Sequence, residues 1–416
     1  MTPAAERVLA RLEVRLERER ELLRSGADAD MDRMMLAVGR DAGRLLNLLV
    51  KMGRCKRILE AGTSVGYSTL WLADAAAAMG GRVISAEQVS GKHAQARENL
   101  SDAGLIGSVE LHTGDALATV RRHAGPFDFA LLDLWKDLYI PAFAALSPKL
   151  APGALIAADN MTAPASTRPD AARYRRFIAK QPGFETVLLP VGSGIELTRK
   201  RKGEGAMPDR VRRVLARLER RAAREDALRR ALSESEYRGR LAEFMLPVGP
   251  ETGRFLNLLV KHGGFRRILE LGTSAGYSTL WLALGARATG GRVQSIDHSP
   301  AKHAEARATL RDAGLAGCVE LITAGVLDTL ARLPGPFDFV LLDYNRGEFI
   351  ACLDALRDKL APGAVLAADN MIEPAATRPQ ADAYRTHLAA QPDLETVLVP
   401  VGNGVELTRK ASMRRE

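Results

Sequence analysis

Cysteine is nearly missing from this chain: Cys55, Cys318 and Cys352 are its three copies, far apart and in no paired spacing. A disulfide framework and a cysteine-based metal site are thereby excluded, and a reducing compartment is consistent. No apolar run approaches the roughly 20 residues that a membrane-spanning helix needs. The first segment is not poor in acids either, since Glu6, Glu13, Glu17 and Glu19 interrupt its arginines. That composition argues against a transit peptide or signal sequence, and the expectation is a cytoplasmic protein. Aromatic residues make up 5% of the chain.

What is abundant is positive charge, a net +9, much of it in RVLARLEVRLERERELLR from Arg7 and DRVRRVLARLERRAAREDALRR from Asp209. Val8, Leu12 and Leu16 recur at helical spacing with arginine and glutamate between them. Both segments therefore read as amphipathic helices with solvated charged faces. Mixed acids and missing aromatics weigh against a nucleic-acid surface there.

The chain also repeats itself. LLDLWKDLYI (131–140) returns as LLDYNRGEFI (341–350), and Gly43 to Lys200 aligns without a gap on Gly253 to Lys410. About 60% of those positions are identical. RVLARLE occurs at Arg7 and Arg213, an offset of 206 instead of 210, so the copies differ in length between this helix and the cores. The repeat is far longer than a solenoid unit and reads as a duplicated domain, 1–202 and 207–416, joined through polar RKGEGAMPD (201–209).

Within the first copy, short apolar runs alternate with helical stretches: RILEA (57–61), RVISAE (82–87), VELHTGD (109–115), FDFALLD (127–133) and ALIAAD (154–159). The alternation predicts a doubly wound α/β domain with a parallel sheet. FETVLLPVG and GIELTRK, closely connected, predict an antiparallel hairpin at one edge. In such folds ligands bind beyond the carboxyl ends of the strands.

Those ends carry the chemistry. Glu60-Ala-Gly62-Thr-Ser-Val-Gly66-Tyr-Ser68, repeated as Glu270 to Ser278 with Gly272 and Gly276, offers a tight turn and a helix N-terminus for an anionic group. Its G-x-x-x-G spacing departs from the dinucleotide fingerprint. Glu87, with Asp297 in the second copy, suits a pair of ribose hydroxyls. Asp115 could bond a purine edge. Asp133, Asp159 and Asn160, repeated as Asp343, Asp369 and Asn370, stand at neighbouring strand ends. Two carboxylates and an amide oxygen suit a hard divalent cation such as Mg²⁺, with capping and turn roles as the alternative.

Taken together these stretches resemble the metal- and S-adenosylmethionine-dependent O-methyltransferases of the catechol and caffeoyl-CoA type. ILEAGTSVGYSTLWLA is similar to that family's cofactor loop, GPFDFALLDLWKDLY to its metal-and-base segment and ADNMTAPA to its second metal segment. The resemblance implies two tandem Rossmann-like class I methyltransferase domains, each with a seven-stranded sheet. It also implies roles. Gly62, Gly66 and Ser68 would hold the methionine moiety, Glu87 the ribose and Asp115 the adenine, while Glu60 supports the loop. Lys136 would be the general base, its pKa lowered by the cation and by burial, and Trp135 and Pro164 would flank an aromatic acceptor. A small vicinal diol is the expected substrate. A hydroxylated uridine in tRNA is the alternative, distinguished by steep salt dependence.

The second copy keeps Asp343, Asp369, Asn370, Glu270, Asp297 and Pro374 but replaces Lys136 by Arg346, Trp135 by Asn345 and Asp115 by Gly325. Arginine holds its proton under all cellular conditions, so the candidate base is gone. The expectation is a catalytic first copy and a second that is slow, altered or structural. Single-domain relatives pair as homodimers, which points to an intramolecular pseudo-dimer.

Overall fold

The computed structural model describes residues 1–25, 30 and 33–412. The chain divides into two compact units, Met1–Gly203 and Glu204–Glu416. In chain order, unit 1 contains α1 (Pro3–Arg24), α2 (Arg40–Met52), β1 (Arg57–Ala61), α3 (Tyr67–Ala78), β2 (Arg82–Glu87), α4 (Ser90–Asp102) and β3 (Val109–Thr113). It continues through α5 (Ala116–Arg122), β4 (Phe127–Leu132), α6 (Tyr139–Leu146), β5 (Leu150–Ala158), α7 (Arg168–Ala179), β6 (Phe184–Leu189) and β7 (Ile195–Lys200).

Unit 2 repeats the plan. It comprises α8 (Asp209–Ala231), α9 (Glu234–Gly239), α10 (Pro250–Gly263), β8 (Arg267–Leu271), α11 (Tyr277–Thr289), β9 (Arg292–Asp297), α12 (Pro300–Ala313) and β10 (Val319–Thr323). Then follow α13 (Val326–Arg332), β11 (Phe337–Leu342), α14 (Phe349–Leu356), β12 (Leu360–Ala368), α15 (Arg378–Ala389), β13 (Leu394–Val399) and β14 (Val405–Lys410).

Each unit holds one seven-stranded sheet, ordered β3-β2-β1-β4-β5-β7-β6 in the first and identically in the second. The first five strands of each are parallel. Central β1 and β4 are buried on both faces, as their mostly apolar composition allows, with Glu60 the buried acid in β1. Helix α3 is buried nearly all round, which its run of alanine, leucine and tryptophan allows. Amphipathic α1 buries Val8, Leu9, Leu12 and Leu16, and starts where the Thr2 hydroxyl accepts the Ala5 N–H at 3.2 Å.

One detail differs from the sequence reading. Strand β5 begins at Leu150, four residues earlier than expected, and passes Pro152-Gly153 through an irregularity in its pairing with β4. Proline and glycine read as a break, but a bulge lets the strand continue past them. The expected antiparallel hairpin stands at one edge, with β7 against β5 and β6 outermost. β7 is the more buried of the two, from Ile195 to Arg199.

Chain order reverses between β1 and β4, which open a crevice at their carboxyl ends. There the Asp133 N–H bonds the Ala61 carbonyl at 2.9 Å, and the Asp159 N–H bonds the Leu132 carbonyl at 3.0 Å. The ladder thus sets the residues after β1, β4 and β5 side by side.

Candidate active site

The loop after β1 is shaped by close backbone approach. Gly62 has φ +104°, and a Cβ there would run into the Asp133 carbonyl oxygen. Gly66 has φ +88° and caps α3 in a left-handed conformation. Only glycine adopts these angles without strain. Beneath the loop Glu60 is buried and accepts from Ser68 at 2.6 Å, Thr69 at 2.5 Å and Ser85 at 2.5 Å. Burial raises its carboxyl to about 7 against the three hydroxyl donors. Ser68 therefore spends its hydroxyl proton on Glu60.

Glu87 ties the loop to β2. One carboxylate oxygen accepts the Ser64 N–H at 2.7 Å and the other the Val89 N–H at 2.8 Å. Each oxygen keeps a further lone pair for an incoming hydroxyl. Asp115 is the N-cap of α5, accepting from Leu117 at 2.9 Å and Ala118 at 3.3 Å. Strand β3 stops at Thr113, before it.

At the crevice floor the structure brings Asp133, Asp159, Asn160 and Lys136 together. Lys136 Nζ donates to the Tyr139 hydroxyl at 2.6 Å, the Asn160 Oδ1 at 3.3 Å and the Leu134 carbonyl at 3.3 Å. Tyr139 in turn donates to the Asp159 carbonyl at 3.0 Å. Asp159 is fully buried, and neither of its carboxylate oxygens has a hydrogen-bond partner. A buried carboxylate without a donor is costly unless something else meets its charge. Burial raises Asp159 well above the usual carboxylate range, and the Asp133 charge adds to it. Asp133 rises to about 6, again by burial, against the opposing pull of Lys136. Burial lowers Lys136, while Asp133 and Asp159 hold it up. Asn160 sits at φ +54°, a left-handed conformation that asparagine tolerates better than most side chains.

Trp135 lies on the loop between β4 and α6 and is 63% exposed. Pro164 follows a cis peptide in the loop after β5. Two contributors were missed in the sequence. Tyr139 lies three residues after Lys136, one helical turn away, a spacing that could have flagged it. Glu13 on α1 accepts from Tyr67 at 2.8 Å and from Arg40 at 2.8 Å, and so anchors α1 to the helix that follows the glycine loop. Nothing local marks Glu13.

In unit 2 the frame is kept and the centre differs. Gly272 and Gly276 keep positive φ at +103° and +86°. Glu270 accepts from Thr279 and Ser295, each at 2.5 Å, and Ser278 is buried beside this strand end. Asp297 accepts the Ser274 N–H at 2.9 Å and the Ser299 N–H at 2.9 Å. Asn370 Nδ2 donates to Asp343 at 3.0 Å, and its Oδ1 accepts from Asn403 at 2.9 Å. Both ends of that amide are engaged within the protein. Asp369 again has two orphaned buried oxygens. Arg346 stands where Lys136 does in unit 1, with its Nε buried and unpartnered. Phe349 replaces Tyr139, so the phenol is lost together with the lysine it orients.

The O-methyltransferase family profile matches residues 15–201 and again residues 219–411. The chain belongs to the O-methyltransferase family. Each unit is an O-methyltransferase domain with the Rossmann-like fold of the family. Catechol O-methyltransferase of Mycobacterium tuberculosis is 42% identical over 129 residues, which are 30% of this chain and 58% of that protein. The chain thus spans under two thirds of that relative. Catechol O-methyltransferase of Niastella koreensis is 36% identical over 154 residues, 35% of this chain and 69% of that protein. A crystal structure of an O-methyltransferase from Bacillus cereus in complex with SAH is 26% identical, covering 48% of this chain and 92% of that one with a TM-score of 0.39. No helix among the described residues is long and apolar enough to cross a membrane.

Proposed function

We propose that unit 1 transfers a methyl group from S-adenosylmethionine to one hydroxyl of a small aromatic vicinal diol, with a divalent cation in the site. The observation that carries this reading is Asp159, whose buried, partnerless oxygens lie beside Asp133, Asn160 and Lys136. Oxygen donors without hydrogen bonds suit a hard cation such as Mg²⁺. Asp133, Asp159 and Asn160 would hold it. When bound, the cation supplies Lewis acidity that favours an ionised hydroxyl, and the cofactor supplies an electrophilic methyl group.

As the neutral amine, which burial favours, Lys136 Nζ takes the acceptor's proton on its lone pair, while its two N–H groups stay on Tyr139 and Asn160. Gly62 and Gly66 would admit the cofactor to the backbone, and Glu87 would receive its ribose hydroxyls. Asp115, already fixed as a cap, would take the adenine. Trp135 and Pro164 would restrict the aromatic ring and so limit the orientations its hydroxyl can take. The names of the two catechol O-methyltransferase relatives support the acceptor class.

The test is turnover with catechol-type acceptors and with tRNA, in Mg²⁺ and in chelator, for Lys136→Ala and Arg346→Ala. Loss in the first variant alone is expected. Loss in the second alone would move the chemistry to unit 2, and activity on tRNA alone would replace the acceptor.

A further inference from the structure

Edge strand β3 of unit 1 carries Glu110 and His112 on one face, two residues apart. His123, which ends α5, meets them. One ligand atom from each of the three side chains lies within 4.8 Å of the other two, and they are the single such group among the described residues. His112 Nε2 is 2.8 Å from Glu110 Oε1, and His123 Nε2 is 4.0 Å from the same oxygen. The two imidazoles meet edge to face, with centroids 4.7 Å apart. His123 Nε2 is buried and has no hydrogen-bond partner. Two nitrogens and an oxygen on a tetrahedral zinc ion stand about 3.3 Å apart, from bond lengths of roughly 2.0–2.1 Å. The observed separations bracket that figure, so small side-chain rotations close the set.

We propose that Glu110, His112 and His123 form a second metal site, for a borderline divalent ion of the zinc type, distinct from the hard-cation cluster at Asp133. Nitrogen donors select zinc over magnesium. Three protein ligands leave the fourth position to water, on the side where Glu110 is 49% exposed. Arg57 and Arg122 lie near enough for their charge to bear on His123 and oppose a cation. Arg57 is drawn off by the Ala124 carbonyl at 2.8 Å and the Phe127 ring. The bound ion clamps β3 to the end of α5, the helix that Asp115 caps.

Unit 2 supplies an internal control. It keeps Glu320 but has Ile322 and Leu333 in place of the two histidines, and both pack against its core. The same backbone therefore folds with apolar residues at these positions. The full-length protein is titrated calorimetrically with ZnCl₂ in excess Mg²⁺, which saturates hard-cation sites. One zinc ion is expected to bind, and the double variant His112→Ile/His123→Leu, folded by circular dichroism, is expected to weaken it at least a hundredfold. Ile322→His/Leu333→His is expected to raise the stoichiometry to two. Titration with Co²⁺ is expected to give the visible absorption of a tetrahedral nitrogen-ligated ion, lost in the first double variant. Zinc binding unchanged by His112→Ile/His123→Leu, no binding by the wild type, or a stoichiometry that stays at one in the unit 2 variant would each overturn the site.

Discussion

Lys136 donates to three uncharged acceptors, while the carboxylates of Asp133 and Asp159 act on it through space. A guanidinium in its place keeps its proton, so Lys136→Arg is expected to lower kcat by about 10²- to 10⁴-fold with little change in KM for the cofactor. Steady-state kinetics on a catechol acceptor reads both. Tyr139→Phe reproduces the companion change found in unit 2, and a smaller kcat loss is expected because it removes only the orienting 2.6 Å bond. Gly62 has no room for a side chain. Gly62→Ala drives a methyl into the Asp133 carbonyl at a positive φ, and loss of cofactor binding in calorimetry is the expected outcome.

At the scale of elements, Glu13 makes α1 part of the cofactor end of unit 1. Glu13→Ala leaves the Tyr67 hydroxyl and Arg40 without their shared acceptor, and a cost of about 1–3 kcal/mol is expected in urea denaturation. Glu60 joins β1, β2 and α3 through its three hydroxyl donors. Its folded-state carboxyl sits at about 7, above its ordinary 4.5, so the folded protein binds this proton more tightly than the unfolded chain. The stability contribution of that proton is complete below pH 4.5 and is lost as pH rises through about 7. Glu60→Gln is expected to flatten the decline in stability between pH 5 and 8 by on the order of 2 kcal/mol. A decline that keeps its full slope in the variant would mean that Glu60 titrates normally.

For the molecule as a whole, two similar frames hold unlike centres. Unit 1 has the lysine, the phenol and the capping carboxylate at Asp115. Unit 2 has Arg346, Phe349 and Gly325, with Asn370 turned onto Asp343 and Asn403. Titration with S-adenosylhomocysteine is expected to show one strong site per chain. Two sites of equal affinity would show that the changes in unit 2 leave cofactor binding intact. EDTA is expected to abolish turnover and Mg²⁺ to restore it, the same addition raising the Tm of the first unfolding transition.

Local chemistry determined much of this protein. Runs rich in apolar residues and of strand length place β1, β2 and β4 to the residue or within one, because strands inside a covered parallel sheet present apolar side chains on both faces. Acids at strand ends were legible for the same reason, since the sheet leaves only its ends open to ligands. Tertiary structure alone decided the rest. β7 enters between β5 and β6 because sheet order follows burial across the whole domain, which no local pattern encodes. Asp159 differs from an ordinary turn aspartate only in lacking donors, and that depends on every neighbour at once. Glu13 meets Tyr67 across 54 residues, and His123 meets Glu110 across a helix; such pairings exist only after the chain has packed.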